Sequence, residues 1–326
     1  MKKRKLIVLT CLMLIMTMTV MLTACGNNSK SESGEAETAT ETTSTKPTED
    51  RAGNPITIPD EVNKIVALAP SIMQTLDAFG VMDKVVGTDT QTPFYVTGVD
   101  SLPQFDLMEP DIEQIAALEP DVVFTTGMSY SDGDPFAALS EMGICVVCIP
   151  SSNSIAAIKE DIQFLADCIG NSDAATPILE EFQKSIDEVK AIGDTITEKK
   201  TVMFEIGALP YLYSCGQNTF IDEMITLIGA ENVFHEQDAW ISVAEEDAVA
   251  ANPDVILTSV NYIEDPVGEI LGRPGWENVN AVKNKEVYYI DNGSSSLPNQ
   301  NIILALHQMA EAVYPDAYEY TLDQAA

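Results

Sequence analysis

The sequence predicts an α/β protein of two doubly wound lobes, joined by a single long α-helix, with a ligand cleft between the lobes. Strand and helix patterns alternate along most of the chain, which is typical of parallel sheets covered by helices. In addition, the stretch EQIAALEPDVVFT at residues 113–125 returns as EDAVAANPDVILT at residues 246–258. A unit that is built twice indicates two matched lobes that face a ligand or a partner.

Both copies of this repeat predict a short helix, a Pro-Asp turn and a buried strand. Aligned without gaps, they pair Glu113 with Glu246, Ala117 with Ala250, Pro120 with Pro253, Asp121 with Asp254, Val122 with Val255, and Thr125 with Thr258.

The other elements of the first lobe follow from apolar runs. KIVALAP, KVVGTD and ICVVCIP predict strands, and SIMQTLDAFG, DPFAALSEMG and SIAAIKEDIQFLADCIG predict helices. The first and last of these helices end on Gly80 and Gly170, which are typical helix terminators.

A longer helix is predicted from about Asp173 to Thr197. Its apolar residues recur at helical spacing, at Ile178, Phe182, Ile186, Val189 and Ile192. Because it lies between the two α/β halves, we interpret it as a rigid connector rather than an ordinary surface helix.

The second lobe restarts with TVMFEIG as a strand and LPYLYSCGQN as a turn-rich loop. TFIDEMITLIGA predicts a helix with Thr219 as its N-cap. After the second repeat copy, NKEVYYID predicts a strand and NIILALHQMAEAVY the final helix.

The first residues predict a lipoprotein signal peptide. MKKRK is a basic segment, LIVLTCLMLIMTMTVM is apolar, and LTAC places small residues before Cys25. We expect cleavage before Cys25 and a lipid on that cysteine, such as palmitate, which would anchor the protein at the extracytoplasmic face of the cell membrane. The alternative is an uncleaved membrane anchor.

The residues that follow Cys25 are mostly Ser, Thr, Glu and Ala, which cannot bury enough apolar surface to fold. The predicted organisation is a signal peptide at 1–24, a disordered tether at 25–54, an N-terminal α/β lobe at 55–171, a connecting helix at 172–197 and a C-terminal α/β lobe at 198–326.

The net charge and the cysteine positions limit the classes of function that the protein can have. A formal net charge of −34 disfavours nucleic acid and anionic lipid surfaces as partners. Cys145 and Cys148 form a C-x-x-C pair, but GICVVCIP predicts a buried strand, whereas redox pairs of this type sit at a helix start. We therefore expect a structural role for this pair.

Several blocks carry a family resemblance, namely IVALAPSIMQTLDAFG, DKVVGTD, LPQFDLMEPDIEQIAALEPDVVF, GQNTFIDEMITLIGAENVF, WISVAEEDAVAANPDVIL and RPGWENVNAVKNKEVYYID. In their order and spacing the chain resembles the substrate-binding lipoproteins of bacterial ABC importers, of the class that takes up iron–siderophores, haem and cobalamin. The resemblance covers nearly everything from Ile56 to Tyr314.

This resemblance implies a role for the repeat. Proteins of this class present a surface glutamate on each lobe to arginines of the membrane permease, and Glu113 and Glu246 hold those positions. The implied partners are a permease driven by a cytoplasmic ATPase and a small metal complex, which is cargo rather than a cofactor. We expect a monomer. The alternative for each glutamate is a solvated side chain at a helix start.

Loops that follow strands should line the cleft. The ligand-binding candidates, each of which has lobe packing as its alternative, are Ser71, Tyr95, Met108, Met128, Tyr130, Tyr211, His235, Trp240 and Tyr262. Aromatic and methionine side chains suit a large, flat or partly apolar ligand.

The identity of the ligand stays open among haem, a neutral hydroxamate siderophore and cobalamin. Outside the signal peptide only Arg51 and Arg273 occur, which disfavours an anionic siderophore. The multi-histidine cluster of zinc or manganese binders is absent, since only His235 and His307 exist. The resemblance suggests Met108 and His235 as axial ligands of a haem, and packing and solvent exposure are the alternatives.

A secreted hydrolase is the main hypothesis from another class, with a scaffold lipoprotein as the third. The chain has neither G-x-S-x-G nor H-E-x-x-H, and its few histidines supply little general base chemistry. We therefore expect a binding protein and not an enzyme.

Overall fold

The computed structural model describes residues 46–130 and 133–320. Its first lobe is built on a parallel sheet with the strand order β3-β2-β1-β4-β5. The strands are β1 Ile65–Ala67, β2 Val85–Asp89, β3 Gln104–Phe105, β4 Val122–Thr125 and β5 Cys145–Cys148. The helices are α1 Pro70–Ala78, α2 Ile112–Ala117, α3 Ala137–Glu141 and α4 Ile155–Cys168.

The long helix α5, Ala175–Gly193, follows the first lobe after a 3-10 turn at Ser172–Ala174. Its 19 residues make a rod of about 28 Å. The apolar stripe of Phe182, Ile186 and Val189 is buried, which confirms the predicted periodicity. Only glycine fits at Gly193, the last residue of the helix, because a Cβ there would lie 2.1 Å from the Leu227 carbonyl oxygen.

The second lobe carries a parallel sheet with the order β11-β10-β6-β8 and a separate antiparallel pair, β7-β9. Its strands are β6 Thr201–Glu205, β7 Tyr213–Cys215, β8 Glu231–Asn232, β9 Trp240–Ser242, β10 Val255–Thr258 and β11 Val287–Tyr289. Its helices are α6 Phe220–Leu227, α7 Glu245–Ala251, α8 Pro266–Leu271, α9 Asn280–Asn284, α10 Asn292–Ser296 and α11 Ile302–Val313. Thr219 caps α6 as predicted, since its side chain accepts a hydrogen bond from the Asp222 amide. The stretch predicted as a turn-rich loop contains β7.

The two repeat copies adopt the same local structure. Each short helix, α2 or α7, is followed by a residue in the left-handed region, Glu119 or Asn252. The Asp121 carboxylate then accepts hydrogen bonds from the amides of Asn63 and Lys64, at the entrance to β1. Asp254 does the same for Thr201 at the start of β6. The Pro-Asp turn therefore fixes the central strand pair in both lobes.

A continuous apolar core runs through both lobes and α5. It includes Ile65 and Phe124 of the first sheet, Phe182 of α5, and Phe204 and Leu257 of the second sheet. Within the described residues, none of the helices combines the length and the apolar character that crossing a membrane requires.

Cys145, Cys148, Cys168 and Cys215 are all buried and unpaired. Cys145 and Cys148 lie in β5, as the strand pattern predicts. Burial raises the pKa of the Cys148 thiol to about 11, which disfavours the reactive thiolate.

Part of the predicted tether is folded. Residues 46–54 lie against the first lobe, where Asp50 is buried and Arg51 pairs with Asp161 of α4. Composition did not indicate this packing, because polar contacts and not apolar burial hold the segment. Cys25 and the signal peptide lie outside the described residues.

Candidate ligand cleft

The carboxyl ends of the strands in the two sheets face one another. On one side, the indole Nε1 of Trp240 at β9 donates to Asn153 after β5, at 3.4 Å. On the other side, the hydroxyl of Tyr95, which follows β2, donates to Asn292 of α10 after β11, at 3.1 Å. These contacts join the lobes at both flanks and leave a cleft between the loops that follow the central strands, which is where open α/β sheets bind ligands.

Exposed large apolar side chains collect along this cleft. In the first lobe, Phe94 follows β2, Met108 follows β3 and Met128 follows β4, and these side chains are 78%, 50% and 61% exposed. In the second lobe, Tyr211 follows β6 and Tyr262 follows β10, with 84% and 68% exposure. Such side chains offer apolar and aromatic contact area that the described residues leave uncovered.

A cavity of about 370 Å³ opens between the lobes at the β2 and β11 side. Its lining combines aromatic side chains with amides, hydroxyls and one carboxylate, namely Gln74, Phe94, Tyr95, Asn261, Tyr289, Asp291, Asn292, Gly293, Ser294, Asn301 and Leu304. No lysine or arginine is among these residues.

A smaller pocket lies beneath the cleft, between α1, α4 and Pro298. It is lined by Ser71, Thr126 and Ser151 among others. The Thr126 hydroxyl is buried and has no hydrogen-bond partner within the described part of the chain. A buried hydroxyl without a partner is costly, so a ligand group or a water molecule at this position would stabilise the protein.

The loop after β2 is organised by a buried carboxylate. Asp89 is 1% exposed and accepts hydrogen bonds from the amides of Gln91 and Thr92 and from the Thr92 hydroxyl. Burial raises the pKa of the Asp89 carboxyl, against the effect of these hydrogen bonds. This arrangement fixes the turn that carries Phe94 and Tyr95.

The remaining tyrosine candidates differ in what holds them. Tyr130 is packed against Phe136, with ring centroids 5.9 Å apart, and its hydroxyl lies 3.1 Å from the Thr125 hydroxyl. Burial raises the pKa of Tyr130 to about 12. Tyr262 accepts a hydrogen bond from the Ala208 amide at 2.8 Å and so ties the loops after β10 and β6 together.

His235 is paired with a carboxylate. Its Nδ1 lies 3.0 Å from Asp222 Oδ2, and the Asp222 side chain is 7% exposed while that of His235 is 55% exposed. Asn232 also donates to Asp222, at 2.8 Å. A carboxylate on Nδ1 fixes the imidazole tautomer and leaves the Nε2 lone pair for a metal, as in the outer shell of many metal sites.

The strand orders place Met108 and His235 at different edges of the two sheets. Met108 follows β3 at one edge of the first sheet, and His235 follows β8 at one edge of the second. The β2 side of the first sheet meets the β11 side of the second, and the β5 side meets β9. Met108 and His235 therefore belong to opposite ends of the cleft, and the haem clamp suggested by the family resemblance finds no support in this geometry.

Both arginines of the described residues are engaged by carboxylates. Arg273 forms a fork with Glu205, at 2.7 and 3.0 Å, and also bonds Glu269. Burial lowers the pKa of Arg273, but the hydrogen bonds that it donates to Glu269 and Glu205 outweigh this effect and leave the pKa above its ordinary value. Arg51 is likewise paired with Glu160 and Asp161.

Glu113 and Glu246 occupy the first turns of α2 and α7. Both side chains are exposed, and neither has a hydrogen bond or ion pair among the described residues. The neighbouring Glu245 differs, because its carboxylate accepts a hydrogen bond from the buried Trp276 indole. The side chains of the two glutamates therefore make no bond that holds the described part of the chain together.

Sequence reasoning did not single out Asn261, Tyr289 or Asn292 as cavity residues, whereas Phe94 lies within the stretch from Asp89 to Tyr95 that was expected to line the cleft. This stretch follows a predicted strand, which was the signal. Asn261 and Asn292 carried no such signal, because their place depends on the approach of the two lobes.

Comparisons with known proteins agree with this architecture. The model of the periplasmic binding protein family matches residues 65–293. An uncharacterized ABC transporter substrate-binding lipoprotein of Bacillus subtilis is 29% identical over 274 residues, which are 83% of this chain and 86% of that protein. A cobalamin-binding protein of Halobacterium salinarum is 25% identical over 275 residues, 81% of this chain and 73% of its own length.

Among solved structures, the periplasmic haem-binding protein of Roseiflexus sp. RS-1, in its apo form, has a TM-score of 0.69. The two sequences are 22% identical, and the matched region covers 78% of this chain and 99% of the Roseiflexus protein. At this level of identity the likeness shows a common fold, namely two lobes around a cleft.

Proposed function

The chain belongs to the periplasmic binding protein family, and from this premise we propose that it is the substrate-binding protein of an ABC importer for a metal complex. It captures its ligand in the cleft between the lobes and delivers it to a permease driven by a cytoplasmic ATPase. Its role is binding rather than catalysis, and the ligand is cargo rather than a cofactor.

The composition of the cleft carries the proposal about the ligand. Exposed aromatic and methionine side chains stand beside amides and hydroxyls, and neither cavity is lined by a lysine or arginine. Anionic ligands need cationic partners, whereas neutral amides are matched by groups that both donate and accept hydrogen bonds. This lining suits an uncharged chelate whose periphery carries amides. A corrinoid fits this description best, and a neutral hydroxamate siderophore is the other uncharged chelate that fits it.

Haem is the second candidate, and His235 is the observation that favours it. The Asp222 carboxylate orients its ring so that Nε2 can coordinate iron. Against haem stand its anionic propionates, for which the described cleft offers no free cation. Met108 at the other end of the cleft is not a second axial ligand in this proposal.

Docking on the permease uses Glu113 and Glu246. An exposed carboxylate without an internal partner on each lobe suits bidentate contacts with arginines, and a pair of such contacts fixes orientation. The proposed anchor is a lipid on Cys25, which would hold the protein at the extracytoplasmic face of the membrane. The protein is proposed to act there as a monomer.

The experiment measures uptake of radiolabelled cyanocobalamin in cells whose uptake depends on this chain. We expect Glu113→Ala with Glu246→Ala to reduce uptake at least tenfold, because both charge-assisted contacts are lost, each worth about 1.5–3 kcal/mol. Glu181→Ala, which removes an exposed glutamate from α5, is the matched control and should leave uptake unchanged. Unchanged uptake in the double variant would remove the docking role.

A further inference from the structure

Residues 46–56, which we call the N-terminal strap, form a closed turn on the first lobe. The Thr48 carbonyl accepts from the Ile56 amide at 2.9 Å, and Glu49 bridges Pro55. Inside the turn, the Asp50 carboxylate accepts hydrogen bonds from the amides of Ala52 and Asn54. The strap is thus ordered by its own polar groups.

The strap is bonded to the end of β5 and to the loop that follows it, residues 149–154. The Arg51 amide donates to the Cys148 carbonyl at 3.1 Å, and the Cys148 amide donates to Asp50 at 3.1 Å. The Arg51 guanidinium bonds Asp161 at 2.6 Å. The hydroxyl of Ser152, in the middle of the loop, donates to the other oxygen of the same Asp161 carboxylate.

The other side of this loop meets the second lobe. Asn153 accepts from the Trp240 indole. The amide of Ile155, the first residue of α4, donates to Glu223 of α6 at 2.8 Å. The loop is therefore held between the strap and the second lobe, and a chain of bonds leads from Arg51 through Asp161 and Ser152 to this contact between the lobes.

We propose that Arg51 is a positioning residue for the contact between the lobes: by fixing Asp161 and Ser152, it holds the loop at 149–154 in the position at which Asn153 and Ile155 bond the second lobe. The segment that joins the predicted tether to the body is thereby part of the machinery that sets the geometry of the cleft. This inference concerns the protein without its ligand and does not depend on which ligand is bound.

Charge and burial explain why Arg51 is needed. The Asp161 side chain is 13% exposed, so its carboxylate has little access to water. Without Arg51 this carboxylate would lie uncompensated beside Glu160, and buried charges without a partner are strongly disfavoured. The loop would then move to let water reach Asp161, away from the second lobe.

The test uses Trp240 as a reporter in the full-length chain. Trp240 and Trp276 are its only tryptophans, and Trp276 is fully buried in the second lobe, so Trp276→Phe leaves a single indole at the contact between the lobes. In that background we expect Arg51→Ala to make acrylamide quenching of Trp240 faster and to shift its emission to longer wavelength. In the unmodified background, the Ile155 amide should exchange hydrogen about fivefold faster in Arg51→Ala.

Two variants distinguish positioning from a general loss of stability. Arg51→Lys keeps the positive charge but loses the planar guanidinium that bonds Asp161 and Glu160 at the same time. We therefore expect this variant to show a smaller effect than Arg51→Ala. Lys190→Ala removes an ion pair of 2.7 Å on α5 and should change neither signal. Normal quenching and normal Ile155 exchange in Arg51→Ala would overturn the proposal, and so would faster exchange spread evenly over both sheets.

Discussion

Arg273 illustrates how a side chain of a type that often binds anions is used for structure instead. It is 3% exposed, bonds Glu205 and Glu269, and stacks on Trp276 with its guanidinium carbon 4.9 Å from the ring centroid. A guanidinium satisfied in this way has no free donor group for an anionic ligand. The cleft therefore gains no free positive charge from Arg273, because this side chain is used for packing in the second lobe.

We expect Arg273→Met to lower the free energy of unfolding by about 3–5 kcal/mol, because Glu205 would be left as an uncompensated buried carboxylate. Urea unfolding without ligand measures this loss. Arg51→Ala serves as the comparison and should cost less, since its side chain is 29% exposed. A loss below about 1 kcal/mol for Arg273→Met would contradict the structural role assigned to this residue.

Thr126 and Thr125 form a matched pair of neighbouring buried threonines. The Thr125 hydroxyl lies 3.1 Å from that of Tyr130, whereas the Thr126 hydroxyl has no partner. We expect Thr125→Val to reduce the free energy of unfolding by about 1 kcal/mol and Thr126→Val to leave it nearly unchanged. Equal losses in urea unfolding would show that the Thr126 hydroxyl has a bound partner in the ligand-free protein.

At the scale of elements, the final helix α11 carries a half-buried histidine. His307 stacks on Tyr320 with centroids 4.0 Å apart, and its buried Nε2 has no hydrogen-bond partner among residues 46–130 and 133–320. Burial lowers the pKa of His307 below its ordinary value of 6.5, while the charge of Glu188 on α5 opposes this shift. The neutral imidazole is therefore the form that the folded protein prefers.

A histidine with a lowered pKa in the folded state stabilises the fold fully above the pKa of the unfolded chain. As the pH falls below about 6.5, the unfolded chain binds a proton before the folded protein does, and stability declines. We expect His307→Phe, which keeps the aromatic stacking, to remove part of the loss of stability between pH 7 and pH 5. If the free energy of unfolding, measured with urea, fell by the same amount between pH 7 and pH 5 in both proteins, the result would contradict this prediction.

Elements with clear periodicity could be predicted from the sequence, and short ones could not. Short apolar runs indicated β1, β2 and β5, which are buried along almost their whole length, and the 3.6-residue pattern indicated α4 and α5, which each bury one face. In contrast, β8 has two residues and β9 has three, which is too short for a periodic signal. The N-terminal strap was missed because Asp50 and Arg51 order it through contacts with residues about 100 positions away.

At the scale of the whole molecule, the repeat is what made the architecture predictable. Its Pro-Asp turns place β4 beside β1 and β10 beside β6, so the same motif builds the centre of each sheet. The positions of the cleft loops follow from this topology. Which side chains meet across the cleft does not, because pairs such as Tyr95 with Asn292 depend on how the lobes approach. For the same reason, the sequence suggested a pairing of Met108 with His235 that the strand order separates.

The central claim is that the cleft takes an uncharged metal chelate, and a parallel absorption titration tests it most directly. The full-length protein is titrated separately with cyanocobalamin, ferrichrome and ferric haem, and each spectrum is followed to saturation. We predict saturable binding of cyanocobalamin at least tenfold tighter than that of haem, because of the three only haem brings a net negative charge to a cleft without free cations. Tight haem binding that is lost in His235→Ala, with no response to the two uncharged chelates, would contradict the account and establish haem as the cargo.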